Sequence, residues 1–313
     1  MLASLKNFLD HERPVVVALS GGVDSIVLAE MAHKTINPSL IHAIHVHHGL
    51  SENADAWASF VEEFCERRSI PLKVCRVKID KKPRESLEDV ARRARYDVLL
   101  SQSPENAQIL LGHHLDDQLE TMLIALKRGS GTRRLKGISV KSETNRGKTL
   151  VRPLLEFTKA DIHAYAREHG LSWVEDDSNA DSAFDRNFLR NEIIPLLKKR
   201  WTGLLTSTKR AARILEEENE IIELHAQQVL ARVQNEGGAL IISELSQLKP
   251  VEIKLAIRHW IIGQGILAPR EDRIMAIYNE VALARADRKP AYHISGALIS
   301  RHKNLLTLQR KED

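Results

Sequence analysis

The sequence predicts an α/β fold, a doubly wound and mostly parallel sheet, followed by a second, smaller, mainly helical domain. Three observations carry this. Short β-branched runs alternate with helical stretches from residue 15 to residue 169, the pattern of strand–helix–strand units packed on a parallel sheet. The hexapeptide SGGVDS at 20–25 sits between one such run and a helix, at a strand end, where doubly wound sheets bind ligands. Around residues 200–215 the texture changes to a long, charged helical stretch, which divides the chain into residues 1–205 and 206–313.

The elements follow in order. After an N-terminal helical stretch, VVVAL at 15–19 reads as a strand buried on both faces. IVLAEMAHK then reads as a helix, LIHAIHV at 40–46 as a strand, 53–68 as a helix, PLKVCRV at 71–77 as a strand, 86–100 as a helix and AQILLG at 107–112 as a strand. A helix from Asp116 to Lys127 gives way to the loop KRGSGTRRLKG, and a further strand near Leu150 and Val151 precedes Pro153 and a helix over 159–169. Beyond the boundary come a short strand (ALIIS), helices over 248–262 and 270–284, and a hairpin in AYHISGALISRHKNLLTLQ.

Composition sets limits. With 43% hydrophobic and 28% charged residues among 313, and only 15 Gly and 10 Pro, the chain can bury a core and is not a disordered or linker-rich sequence. Forty-six Lys and Arg against 42 Asp and Glu give +4, too mild to imply a polyanionic partner without local clustering. Cys65 and Cys75 lack the CxxC spacing of zinc and iron–sulfur sites, and a disulfide framework is implausible at this size. No stretch approaches ~18 apolar residues and the N-terminus has no signal-peptide pattern. The expectation is a cytoplasmic protein with no membrane partner.

Local clusters carry the chemistry. In Ser20, Gly21, Gly22, Val23, Asp24 and Ser25 the paired glycines let the backbone curl, while amides and two hydroxyls face an anion at a helix N-terminus. The bland alternative is a tight turn with Ser and Asp as caps. The spacing matches neither GxxxxGK(S/T) nor GxGxxG. Asp24 beside a polyphosphate implies Mg²⁺ or a clamp on the loop's own amides. His113, His114, Asp116, Asp117 and Glu120 stand at a strand end and the following helical turn, so one face can hold paired carboxylates that coordinate Mg²⁺ or an ammonium group; matching the helix dipole is the plainer reading.

Eight basic residues stand against one acidic residue over 127–148, Arg128, Arg133 and Arg134 among them. The cluster suits phosphate contact or a solvated surface. Lys198, Lys199, Arg200, Lys209, Arg210 and Arg213 form a second basic stretch with the same two readings. Arg92 and Arg95 share a helix face and could reach one ligand or pair with Glu88 or Asp89. Asp185, Arg186, Asn187 and Arg190 follow the acidic run EDDSNAD, as helix caps or an active-site loop.

The hexapeptide resembles the PP-loop of the ATP pyrophosphatases, of the adenine nucleotide alpha hydrolase-like fold. HVHHGL at 45–50, ARRARY at 91–96, GHHLDDQLET at 112–121, LKRGSG at 126–131, RPLLEFTKADI at 152–162 and WVEDDSNADSAFDRNFLRNEIIPLL at 173–197 together resemble tRNA(Ile)-lysidine synthetase. The resemblance runs from about residue 13 to 200, and VEIKLAIRHWI with EDRIMAIYNEVALARADRKP is similar to that family's first C-terminal domain. It implies an enzyme that joins free L-lysine to carbon 2 of the wobble cytidine of tRNA(Ile) with a CAU anticodon, through an adenylated base, using ATP and Mg²⁺. It implies Asp24, Asp117, Glu120 and Arg190 as catalytic, Ser20 to Ser25 as nucleotide-binding and Asp24 and Asp117 as metal ligands. Arg92, Arg95, His113, His114, Asp116, Arg128, Arg133, Arg134, Arg186 and Asn187 are then expected to bind substrate. A homodimer is compatible with this. Competing expectations are a 2-thiocytidine-type PP-loop enzyme, against which the cysteine spacing argues, and an RNA-binding protein that holds ATP without cleaving it.

Overall fold

The computed structural model describes residues 1–80, 87–175, 184–285, 290–294 and 296–310. The chain divides into two compact units, Met1–Glu216 and Glu217–Asp313. The division falls within the long helix Leu204–Val233, at whose start the sequence places the domain boundary.

The first unit is built on a six-stranded sheet. Its strands are β1 (Val15–Ala18), β2 (Ile41–His47), β3 (Leu72–Arg76), β4 (Gln108–Leu110), β5 (Lys141–Glu143) and β6 (Thr149–Val151), in the order β3-β2-β1-β4-β6-β5. All pairings are parallel except β5 with β6. Neither β1 nor β4 has an alternating polar face, because helices cover both sides of the sheet. Val15 and Val17 enter one core with Ile26, Met31 and Ile162, whereas Val16 enters the other with Ile44, Leu99 and Ile109. The chain steps outward from β1 to β2 and β3, then returns to β1's other side as β4. That reversal opens a crevice at the strand ends of β1 and β4.

The helices of this unit include α1 (Leu2–Phe8), α2 (Val23–Thr35), α3 (Ala54–Glu66), α4 (Leu87–Gln102), α5 (Leu115–Lys127), α6 (Thr132–Leu135), α7 (Lys159–Glu168), α8 (Asp185–Phe188) and α9 (Ile194–Arg200). α8 passes into a π-helical segment, Leu189–Ile193, before α9. Thr158 caps α7, accepting from the Asp161 amide while the Asp161 carboxylate accepts from the Thr158 amide, so two otherwise orphaned donors are satisfied.

The second unit packs its helices on an antiparallel four-stranded sheet. Beyond α10 (Leu204–Val233) come β7 (Leu240–Ile241), α11 (Ile242–Leu245), α12 (Pro250–Gly263) and α13 (Glu271–Ala276), the last continuing as a π-helical turn, Ile277–Ala282. The expected hairpin is a three-stranded meander, β8 (Ala291–Ile294), β9 (Ala297–His302) and β10 (Leu305–Arg310), because Lys303 and Asn304 supply a second turn. Trp260 anchors the core there and donates its indole N–H to the Gly238 carbonyl at 2.7 Å.

Candidate active site

The loop between β1 and α2 is organised around one hydroxyl. Ser25 Oγ accepts from the amides of Ser20 (3.2 Å) and Gly21 (3.1 Å) and donates to the Gly22 carbonyl (2.9 Å), and the Ser20 hydroxyl lies 3.1 Å away. Ser25 is buried, so its place is that of a brace under the loop. The amides of Val23, Asp24 and Ser25 form the first turn of α2 and, by helix geometry, lack intrahelical acceptors. Gly21 has φ +95, and a Cβ there would stand 2.8 Å from Val174 Cγ2. Its carbonyl accepts from the Val174 amide at 3.0 Å. Gly112, just past β4, lies so near α2 that a Cβ would approach the Asp24 side chain to 3.2 Å.

β4 leads through Gly112 and His113 into α5, whose first turns hold the carboxylates. His114 caps the helix: its amide donates to Asp117 Oδ2 (2.9 Å) and its Nδ1 accepts from the Asp117 amide (3.4 Å). The ring's Nε2 then stands 3.6 Å from Asp117 Oδ2 and 3.8 Å from Asp24 Oδ2, joining α5 to the loop between β1 and α2. Glu120, 1% exposed, accepts a two-pronged pair of bonds from Arg190 at 2.8 and 2.9 Å, and the same guanidinium reaches Asp117 at 3.1 Å. Arg186 lies 3.6 Å from Glu120 and donates to Thr121 at 3.3 Å.

Environment separates these acids. Burial works to raise the Asp117 carboxyl, but the His114 and His113 rings, the His114 amide and Arg190 outweigh it and hold it below the usual range. For Glu120 burial wins over Arg190, and the carboxyl is raised. Asp24 is likewise raised by burial, against the pull of His114. Asp116 differs in kind: it accepts from the Lys159 amide at 2.8 Å and from Lys198 Nζ at 2.8 Å, tying together α5, α7 and α9. These bonds outweigh its burial and lower its pKa.

A second group combines arginines with two buried histidines. Burial, reinforced by Arg152 and Arg92, pushes His113 down to about 3. Burial with Arg95 nearby pushes His48 down to about 4. Both rings are therefore neutral near pH 7, and the Nδ1 atom of each is buried without a hydrogen-bond partner. Arg92 leans on Tyr96, 3.4 Å from its hydroxyl.

The structure thus brings together Asp24, His113, His114, Asp117, Glu120, Arg186 and Arg190, with Asp116 in a bracing position. Arg133 and Arg134 are exposed on α6, Arg128 is exposed at the C-terminal end of α5, and Asn187 is half-buried on α8. The pairing of Arg92 or Arg95 with Glu88 and most of the acidic run before Phe184 lie outside the described residues. Sequence reasoning missed three residues. Arg152, buried beyond β6, donates to the Ser139 carbonyl and Ser142 hydroxyl, both at 2.9 Å. Lys198 was legible only as one more cation of a basic stretch, and Gln118 gave no signal beyond its place between the carboxylates.

Comparison with known proteins fits this geometry. A PP-loop domain matches residues 1–197 and a TilS substrate binding domain matches residues 240–307. The chain is 38% identical over 309 residues to the tRNA(Ile)-lysidine synthase of Shigella flexneri, covering 98% of this chain and 71% of that one. It belongs to the tRNA(Ile)-lysidine synthase family. The lysidine synthase of Vibrio vulnificus strain YJ016 is also 38% identical, over 94% of this chain and 68% of its own. Among solved structures, a U34-tRNA thiolase from Methanococcus maripaludis shares the fold of the synthase-family chain with a TM-score of 0.54 at 20% identity, over 69% of this chain and 78% of that one.

Proposed function

We propose that the chain is a ligase that forms lysidine on tRNA(Ile) at the expense of ATP. It joins the ε-amine of free L-lysine to carbon 2 of the wobble cytidine in a CAU anticodon and releases AMP and pyrophosphate. The observation that carries this reading is the buried Asp117–Glu120 pair, bridged by the Arg190 guanidinium and linked through His114 to Asp24 on the PP-loop. Among the described residues no helix is long and apolar enough to cross a membrane.

The reaction makes two opposite demands. The cytidine carbonyl oxygen must attack the α-phosphorus of ATP, breaking the bond to the bridging oxygen so that pyrophosphate leaves with the electron pair. The first-turn amides of α2, held by the Ser25 brace, face that polyphosphate. The lysine nitrogen then attacks carbon 2, the bond from that carbon to the adenylated oxygen breaks, and AMP departs. An ammonium of pKa about 10.4 is only ~0.04% neutral at pH 7, so the nucleophile must first be held and then deprotonated. Asp117 and Glu120 hold it in the place Arg190 occupies, and Glu120, raised by burial, accepts the proton more readily than an exposed glutamate. Arg190, displaced from the pair, turns with Arg186 toward phosphate. Arg92, Arg95 and His113 receive anionic groups at the strand ends, and Arg128, Arg133 and Arg134 contact the tRNA backbone.

The donor set fits Mg²⁺. Asp24 Oδ1 is buried with no hydrogen-bond partner, and among the described residues no group of three or more His, Cys, Asp or Glu forms a metal cage. Mg²⁺ favours one or two carboxylates completed by phosphate oxygens and water. Asp24, with Asp117 beyond His114, would hold it, and the ion supplies charge neutralisation for the polyphosphate.

The test is to incubate the protein with ATP, Mg²⁺, radiolabelled lysine and a CAU-anticodon tRNA(Ile) transcript, with methionine tRNA as control. Label in tRNA(Ile) alone, dependent on ATP and accompanied by AMP, is the expected result. AMP without label in tRNA would overturn lysine as the nucleophile, and the absence of both signals would overturn the reading.

A further inference from the structure

Gln118 is a buried carboxamide, 5% exposed, inside the helix that carries the reacting carboxylates. Nothing in α5 itself needs it: His114 and Asp117 already cap the helix, and an apolar side chain would fill the space at less desolvation cost. Its amide is instead spent outside the helix. Nε2 donates to the Lys136 carbonyl at 2.8 Å, and Oε1 accepts from the Ile138 amide at 2.7 Å. The two bonds straddle Gly137, which has φ +75 and at which a Cβ would come within 2.7 Å of the Gln118 amide. Glycine is required both for the backbone conformation and for this approach. The Lys136 end of the turn is tied down again, by Glu216 at 3.4 Å from Lys136 Nζ. Arg133 and Arg134, on the helical turn directly before Lys136, are exposed.

We propose that Gln118 is a positioning residue that fixes the basic turn of residues 131–138 in register with Asp117 and Glu120, so that a tRNA backbone held by the turn presents its base to those carboxylates. This rests on the proposed lysidine function. The reason is mechanical. Asp117 and Gln118 are consecutive on one helix, so the acid facing the crevice and the amide gripping the turn move as one body. Two hydrogen bonds to the backbone on either side of a glycine leave the turn no freedom to slide, whereas ion pairs from flexible lysines would.

The full chain should be compared with Gln118→Met, Gln118→Glu and Gly137→Ala. Methionine keeps the volume and removes both bonds. It is expected to lower kcat/KM for tRNA roughly 10- to 100-fold, the cost of a misplacement of about 1 Å, while the KM values for ATP and lysine stay within about twofold. Gly137→Ala, which pushes on the same amide from the other side, should reproduce this. Glutamate can still accept from Ile138 but sets a carboxylate against the Lys136 carbonyl, and protonation restores the missing donor. Gln118→Glu should therefore regain kcat/KM for tRNA, relative to wild type, as pH falls from 8 to 6, whereas Gln118→Met should not. An unchanged kcat/KM for tRNA in Gln118→Met, or an equal rise of all three KM values, overturns the positioning role. The functional reading is decided separately, by whether the wild type incorporates lysine at all. Should it not, equal tRNA affinity of the wild type and Gln118→Met in filter binding still overturns the role of Gln118.

Discussion

Replacing Arg190 by methionine is expected to destabilise the first unit more at pH 8 than at pH 5.5, and the reason lies in Glu120. Arg190 gives that carboxylate two bonds at 2.8 and 2.9 Å, and Glu120 is 1% exposed. Removing one partner of a buried pair costs about 3–5 kcal/mol. The lower end applies here, because Arg190's side chain is itself 27% exposed and Arg186 remains 3.6 Å from Glu120. Protonation limits the loss, since a stranded carboxylate can take up a proton at about 1.36 kcal/mol per pH unit above about 4.3. That ceiling is about 1.6 kcal/mol at pH 5.5 and about 5 kcal/mol at pH 8. The variant should thus lose about 1.5 kcal/mol at the lower pH and about 3 kcal/mol at the higher.

The sign follows from Glu120's raised pKa. A carboxyl that binds its proton more tightly in the folded chain contributes stability that is full below the unfolded value and is lost as pH rises through the folded value. Removing Arg190 raises the folded value further, which extends the loss to higher pH. Thermal unfolding followed by circular dichroism should therefore show a Tm deficit that grows by roughly 3–6 °C between pH 5.5 and pH 8. In Glu120→Gln/Arg190→Met that pH-dependent increment should disappear. A deficit equal at both pH values, or a double variant as pH-dependent as Arg190→Met, would refute the view of Glu120 as a buried acid held chiefly by Arg190.

Four further outcomes test the site. Ser25→Ala removes the acceptor of the Ser20 and Gly21 amides and should weaken ATP binding about 10-fold or more, at roughly 1–3 kcal/mol for the buried Gly21 amide, as read by isothermal titration. Gly21→Ala should lower stability by about 1–3 kcal/mol through its strained φ and the clash with Val174, measured by urea unfolding. Asp117→Asn keeps an acceptor for the His114 amide but loses the charge, and should cut lysine incorporation at least ~100-fold; full incorporation would remove Asp117 from the mechanism. Arg133→Ala/Arg134→Ala should weaken tRNA binding and reduce the magnitude of the slope of log K against log salt by about 1 for each phosphate that is no longer neutralised, read by filter binding over a salt series.

Much of the fold was legible because its signals are local. VVVAL announces a strand covered on both faces, and LIHAIHV and AQILLG announce strands; each is present, the first and third trimmed by one or two residues at their ends and the second shifted by one to Ile41–His47. β5 was not legible: Lys141, Ser142 and Glu143 are polar, and only the ladder with β6 makes them a strand. In the site, Asp117 and Glu120 could be read as a pair from their spacing. That Arg190, seventy residues away, closes the pair could be expected only through the family resemblance. Asp116 shows why spacing is insufficient. It sits one position from Asp117, yet its carboxylate meets Lys198 and the Lys159 amide rather than the crevice, because successive helical residues diverge by about 100°. Ser25 was legible as a loop residue but not as the brace, since which hydroxyl turns inward depends on the path of the folded loop.

The electrostatics of the crevice divide it into two unlike halves. On the side of α4 and β6, Arg92 and Arg152 stand near His113, whose burial keeps it neutral at about 3, so that side holds net positive charge at any pH where the enzyme would work. On the α5 side, Asp117 and Glu120 are two acids matched by Arg190, with Arg186 close by. An anion entering the first half meets cations not cancelled by imidazole titration, and a cation entering the second must displace Arg190. On the proposed function, binding of lysine would be coupled to release of a guanidinium beside the PP-loop, where the polyphosphate would stabilise it. The two substrates should bind with positive cooperativity: ATP favours the displaced Arg190, and displaced Arg190 favours lysine. By linkage, the factor by which ATP tightens lysine must equal the factor by which lysine tightens ATP. Calorimetric titration of each ligand with and without the other checks both numbers, using a nonhydrolysable ATP analogue and no tRNA. In Arg190→Met both factors should fall toward one. Cooperativity that survives in this variant would show that Arg190 is a fixed strut of α5 and not the exchangeable partner its position implies.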